Sequence, residues 1–234
     1  MSSTKKKVVG GSAARRKTPA KAAPRAKAPS KRRTQAERSE QMQSRLVEAA
    51  ANLLRKRGYA GLRTDEVARI AKVSRGALLH HYPSKDDLVL ATAEYLLKSG
   101  LERGTARAIA ARGEADVIEA IIQDGLDFFM GRDFPVVLDL VMACGKDTAL
   151  RDKVYGYSRE SRTGVEEVWT QLLGEHGVPR VKAEKVVFLT LSIVRGFAVR
   201  ALWQKDEALF RTMLDEWKLI LAKHMADEKT GARR

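Results

Sequence analysis

Residues 53–88 read LLRKRGYAGLRTDEVARIAKVSRGALLHHYPSKDDL, and the punctuation of this stretch decides the fold. Arg57-Gly58 closes a helical pattern with basic residues and a terminal glycine. Thr64 then stands where an N-cap belongs, with Asp65 and Glu66 in the electropositive first turn, and opens a short helix with inward positions Val67, Ala68 and Ala71. After Lys72-Val73 a second cap-type residue, Ser74, opens another short helix, Arg75 to about Tyr82, which Pro83 stops. Two short helices about a tight turn make a helix-turn-helix, here about residues 62–82. Ala68 is small enough for the helices to approach, Val73 plugs the turn, and Leu78 anchors the second helix inward.

Upstream, Met42, Leu46, Ala49, Ala50 and Leu53 fall on one face of a helix that starts near Gln35. Downstream, Ser84 and Asp87 have capping-box spacing, so a long fourth helix begins there. Lys85 in its first turn opposes the helix dipole, a conflict that a nearby phosphate would relieve. The outer face of the second short helix presents Ser74, Arg75, Ala77, Leu79, His80 and His81, donors and small apolar groups suited to a major groove about 12 Å wide. Read as isolated residues, His80 and His81 are ordinary polar groups at a helix end, and Arg63 and Arg75 a solvated basic face. Cap, small-residue, turn and basic signals occurring together in this order favour the nucleic-acid reading.

Over roughly residues 38–98 the chain resembles the N-terminal DNA-binding domain of the TetR family of bacterial transcriptional regulators, the proline-serine-lysine junction at 83–85 included. The resemblance implies an all-α homodimer of about nine helices: a three-helix DNA-binding domain (35–85), then a helical effector-binding and dimerisation domain (86–228). It implies a repressor that leaves a palindromic operator in double-stranded DNA when a small-molecule effector binds. Carried over by position, Thr64 and Lys85 contact phosphate, while Ser74, Arg75, Gly76, Ala77, His80 and His81 lie on or beside the groove-facing surface, with Arg63 basic beside them. Leu79 departs from the aromatic residue, commonly tyrosine, that the family has there; either a backbone contact is lost or leucine makes an apolar one.

The formal charge is +15, and it is concentrated at one end. Residues 1–34 hold seven lysines, five arginines and no acid; 35–85 carry ten basic and five acidic side chains; the rest is slightly acidic, at −2. The Ala/Lys/Arg/Pro/Ser composition of 1–34 predicts a disordered tail, as does the short end at 229–234, and lacks the continuous apolar stretch of an export signal. Three readings of the tail are open: a basic arm following phosphate, a solubilising segment, or a transit peptide, for which an Arg-rich, acid-free leader is also suited. A nonspecific architectural DNA-binding protein would also explain the tail, but leaves the recognition-helix pattern unexplained.

With one cysteine, Cys144, there is no disulfide framework, which fits the cytoplasm and, for a DNA-binding chain, the nucleoid. Cys144 reads as a buried structural thiol rather than a redox sensor. Adjacent His80 and His81 diverge by roughly 100° on a helix, so no metal site is expected, nor a cofactor. An enzyme would need a Gly-rich phosphate loop, an HExxH or a nucleophile motif, and none occurs.

The C-terminal part predicts about six further helices, among them a stretch from Val186 to Trp203 that is apolar nearly all round. Its uncharged run of nine residues is too short for a bilayer, and Arg195 and Arg200 interrupt it, so it should be buried between layers or between subunits. The effector pocket, suited to a small apolar molecule, is expected among Phe129, Leu138, Asp139, Met142, Tyr155, Trp169 and Phe188, with Asp139 either a polar anchor or a solvent-side residue. The resemblance implies a dimer interface on the last two helices, at Phe197, Leu202, Phe210, Met213, Trp217 and Ile220, with which their periodicity is compatible. Independently of the family, one short recognition helix reads only a few base pairs. Two on a two-fold axis, about one helical turn of DNA apart, read a palindrome.

Overall fold

In a computed structural model, which describes residues 34–143 and 148–231, the chain is all α. Nine helices occur among the described residues: α1 (Gln35–Arg57), α2 (Thr64–Ala71), α3 (Arg75–His81), α4 (Lys85–Ala110), α5 (Val117–Phe129), α6 (Phe134–Ala143), α7 (Thr148–Glu175), α8 (Arg180–Arg200) and α9 (Glu207–Gly231), with a 3-10 turn at Ala111–Gly113 after α4. The basic tail and Cys144 lie outside the described residues. Of the end expected to be disordered at 229–234, residues 229–231 belong to α9, and 232–234 lie outside the described residues.

The local chemistry around the two short helices follows the sequence closely. Ser74 caps α3 by accepting from the Ala77 N–H at 3.1 Å, and Ser84 and Asp87 complete a reciprocal capping box at the head of α4. One cap differs. Arg63, extended at φ −120° and ψ 124° and without a side-chain capping bond, holds the N-cap position of α2, so Thr64 is the first helical residue.

The turn between α2 and α3 closes as a Schellman motif. The Val73 N–H donates to the Ala68 carbonyl at 3.0 Å and the Lys72 N–H to that of Arg69 at 3.2 Å, with Lys72 left-handed at φ 55°. The same pair of bonds ends α7, from Val178 to Leu173 and from Gly177 to Gly174, and there the left-handed residue is a glycine. A side chain in that region costs about 1–2 kcal/mol, part of which glycine returns through its freer unfolded chain. Lys72→Gly should therefore stabilise the protein by about 0.5–1 kcal/mol, read as a shift in the urea midpoint at unchanged slope. Arg45 of α1 holds this turn from outside, its guanidinium donating to the carbonyls of Ala71 and Lys72.

One hydrophobic core serves α1–α4 and also takes Val136, Val137 and Leu140 of α6 and Leu150 and Val154 of α7. The division expected at 85/86 thus runs through shared packing, and Gln35–Arg234 forms one compact unit. A second core, centred on Trp169, joins α5, α7 and α8. Lys218 fastens α9 to the head of α5 by bonds to Asp116 (2.9 Å) and Glu119 (2.8 Å), and its hydrogen bond holds the Glu119 carboxyl below the usual range. No helix among the described residues is long and apolar enough to cross a membrane.

Candidate functional site

α3 is fixed from behind and open in front. Leu78 is fully buried and Tyr82, just past the helix, is nearly so, with its hydroxyl pKa pushed up by burial and then by Glu94. Ser74, Arg75, Gly76, Leu79 and His80 are exposed, Ala77 and His81 half-buried, and the two imidazoles meet edge to face at 5.4 Å. The hydroxyl of Ser74 is committed as an acceptor to the helix, leaving its proton free to donate outward. Leu79, 43% exposed, has no packing role that would explain it. Arg63, Lys72 and Arg75 are exposed and make no ion pair with any described residue, whereas Arg57 and Arg69 are both spent on Glu66. Arg63 at the head of α2, Lys72 at its end and Arg75 in the first turn of α3 are therefore cations available to phosphate. Lys72 joins that set; its place depends on the left-handed turn, so residue spacing gave no sign of it.

Lys85, expected at phosphate, is already engaged within the chain. Its ammonium turns inward, donates to the Tyr59 carbonyl at 3.1 Å and lies 4.2 Å over the Tyr59 ring. The dipole conflict in the first turn of α4 is relieved by a carbonyl and a π face within the chain.

Tyr59 is held from its other side as well, by Asp139 of α6, whose carboxylate accepts from the Tyr59 N–H at 2.6 Å. The close approach depends on Gly58: at φ 65° it ends α1, and a Cβ there would come within 2.9 Å of the Asp139 carboxylate. Asp139 is absent from the wall of the cavity on the other side of α6 and ties α6 to the α1–α2 turn. Arg55 of α1 reinforces the tie through Asp133, just before α6, at 2.7 Å. Asp139→Ala should cost about 1–3 kcal/mol in denaturant unfolding by orphaning the Tyr59 N–H, and Asp139→Asn, which keeps an acceptor, should restore most of it.

The opposite side of α6 borders a cavity of about 320 Å³ among α4–α8, walled by Leu97, Phe128, Phe129, Phe134, Leu138 and Val141. Phe129 sits edge-on to both neighbours, 5.1 Å from each of Phe128 and Phe134. Phe128 lies so close to α4 that a Cβ on Gly100 would stand 2.6 Å from its ring. Of the residues expected to form a pocket, Phe129 and Leu138 line this cavity. The others do not. Met142 is 74% exposed because α6 ends there, Tyr155 points outward from α7, and Phe188 is on the outer face of α8. Trp169 is wholly buried in the second core, donating through Nε1 to the Asp124 carboxylate at 2.9 Å. Asp124 itself borders the cavity, and burial above all pushes its pKa up, against the Trp169 bond and the charge of Arg107. Two arginines, Arg162 and Arg195, also stand on the cavity wall, and Arg195 is visible in sequence as a break in the apolar run of α8.

The expected dimer set divides in the same way. Phe197 and Phe210 stack on each other within one chain at 4.9 Å, and Trp217 donates to Thr190 of α8 at 3.0 Å. Leu202, Met213 and Ile220 are exposed, as are Val181 and Leu189 of α8 and Leu209 and Leu219 of α9. α8 is thus buried on one side and apolar but exposed on the other, and a Cβ added at its Gly196 would meet open space.

Comparison with known proteins agrees with this architecture. Residues 46–92 match the family profile of the bacterial regulatory proteins of the tetR family. The HTH-type transcriptional regulator CymR of Pseudomonas putida is 44% identical over 180 residues, which cover 77% of this chain and 89% of that protein. Among solved structures, a transcriptional regulator from Rhodococcus sp. Rha1 superposes with a TM-score of 0.60 at 21% identity, covering 77% of this chain and 96% of its own. A regulator from Saccharomonospora viridis, solved in complex with choline, gives 0.60 at 18% identity over 76% and 95%. Both share the fold.

Proposed function

The chain belongs to the TetR family of bacterial transcriptional regulators and binds DNA, and from that premise we propose that it is a homodimeric repressor, cytoplasmic and associated with the nucleoid, released from a palindromic operator by a small molecule in the α4–α8 cavity. One observation carries the proposal: α6 lines the cavity on one side and on the other holds, through Asp139, the turn that leads into the helix-turn-helix. A ligand that shifts α6 changes how Tyr59, and with it Lys85 at the head of α4, is held. If such a ligand binds better when the two recognition helices are out of register with the operator, it weakens DNA binding by the same factor, typically 5–150-fold.

In this reading the exposed face of α3 enters the major groove, with Arg75, His80 and Ser74 toward base edges or phosphate and Arg63 and Lys72 toward the backbone. Leu79 makes an apolar contact in place of a hydroxyl one. The exposed apolar faces of α8 and α9 pair across the two-fold axis, where Gly196 allows close approach. That a family-fold regulator was solved with choline supports a small organic effector in general, not choline in this chain.

The test titrates the full chain and a chain shortened to residues 35–234 against the DNA upstream of their own gene and against a shuffled copy, at about 150 mM salt. A preference of 10³-fold or more for the native sequence, surviving removal of residues 1–34, is expected of a specific regulator whose tail adds only salt-dependent affinity. Equal affinity for both duplexes in both proteins would favour the architectural role suggested by the tail.

A further inference from the structure

The polar groups bordering the α4–α8 cavity are unequal in what they have left to give. The Ser158 hydroxyl donates to the Val154 carbonyl at 2.8 Å and that of Ser161 to Leu97 at 3.0 Å, so both face the cavity as acceptors only. The Asp124 carboxylate takes the Trp169 indole proton at 2.9 Å and has Arg107 at 4.0 Å. Arg162 reaches Glu166, one turn along α7, at 3.5 Å. Arg195 differs from all of these. It is half-buried, its one hydrogen bond is to the neutral Ser192 hydroxyl at 3.1 Å, and it makes no ion pair among the described residues.

An arginine has five N–H donors and does not lose its charge, so a half-buried one without an acid beside it is costly. Here the cost is increased by the Arg162 guanidinium nearby. Burial first and that like charge second hold Arg195 below its ordinary pKa, and the charge of Glu166 offsets them only in part. On the inner side Arg195 lies 5.9 Å from the Phe129 ring, at the edge of the three-phenylalanine cluster. Among the charged residues of the cavity wall only Arg195 has no ion pair with a described residue, and the wall beside it is aromatic and aliphatic.

We infer that the cavity takes a small monocarboxylate with a single-ring or branched apolar body, its carboxylate held by Arg195 with Arg162 beside it and its body against Phe128, Phe129 and Phe134. The inference rests on the reading of this cavity as the effector site and corrects its expected chemistry from purely apolar to apolar with one negative charge. A planar guanidinium pairs a carboxylate through two parallel bonds, which neither a neutral amide nor an alcohol supplies. A cavity of this size is at the lower end of the range of about 300–1,000 Å³ for small-molecule sites, which favours a small body.

The experiment uses the full chain and three acids, benzoate, 3-phenylpropanoate and cyclohexanecarboxylate, each beside its primary amide, with binding read by calorimetry and melting temperature. At least one acid should bind tenfold or more tightly than its amide, and Arg195→Gln should erase that difference without lowering the melting temperature of the unliganded protein. Arg162→Gln should weaken binding less. Binding by the amides equal to that by the acids, no binding by any acid, or acid binding unchanged in Arg195→Gln would each overturn the inference. So would dissociation of a dimer in Arg195→Gln with acid affinity intact, which would assign Arg195 to the subunit contact. If an acid binds through Arg195 yet leaves DNA affinity unchanged, the monocarboxylate site stands and the release mechanism falls.

Discussion

Gly76→Asp should lower affinity for the cognate DNA at least 100-fold while leaving the protein as stable as before, or more so. Residue 76 sits on the exposed face of α3, and a Cβ there meets nothing nearer than the Ser74 hydroxyl at 4.0 Å. An acid in the first turn of a helix is favoured by the dipole, and replacing a helical glycine lowers the entropy of the unfolded chain. Folding therefore loses nothing. In the groove the same carboxylate faces phosphates and acceptor-rich base edges, a like-charge juxtaposition that costs several kcal/mol, and about 2.7 kcal/mol is already 100-fold. Fluorescence anisotropy with the upstream duplex, beside a thermal melt, separates the two effects. Undiminished DNA affinity in this variant would remove α3 from the reading surface.

Trp169→Ala should be among the most damaging single changes, at about 3–5 kcal/mol for the lost ring, with a further loss because Asp124 is left buried without its indole donor. Trp169→Phe isolates the second part and should cost about 1–3 kcal/mol at neutral pH. That cost should depend on pH in a definite direction. The Asp124 pKa is raised in the folded protein, so its contribution is fully present below the unfolded carboxylate pKa and is lost as pH rises through the folded one. Removing the indole bond raises the folded pKa further and widens that loss. The difference between Trp169→Phe and the parent should accordingly shrink between pH 7 and pH 4, as judged by urea midpoints at each pH. A pH-independent difference would mean that the indole acts through packing alone.

What could be read without coordinates was mostly local. Ser74, Pro83 and the Ser84–Asp87 pair act on backbone groups within three or four residues, so their meaning survives in sequence. Thr64 misled because an adjacent arginine took the extended cap position without offering a side-chain acceptor. Asp139 could not be placed, since the N–H it binds is 80 residues earlier and a single turn of α6 decides between that N–H, the cavity and solvent. The same holds for Arg162 and Arg195, whose approach to one cavity depends on how α7 and α8 cross. Phe197 and Phe210 are apolar at helical spacing whether they face a sister subunit or each other, and only the corner between α8 and α9 distinguishes the two.

The core shared between α1–α4 and α6–α7 has a consequence for anyone who would treat such regulators as interchangeable parts. A hybrid that grafts this reading head onto another sensor at residue 85 would strip Val136, Val137 and Leu140 from beneath it, leaving a hydrophobic scar on the graft and an ill-matched surface on the recipient. The transplantable piece is larger and discontinuous in sequence. It must carry the inner face of α6, with Asp133 and Asp139, as a keel; a hybrid built that way would inherit the reading head together with the contact through which a sensor can be wired to it.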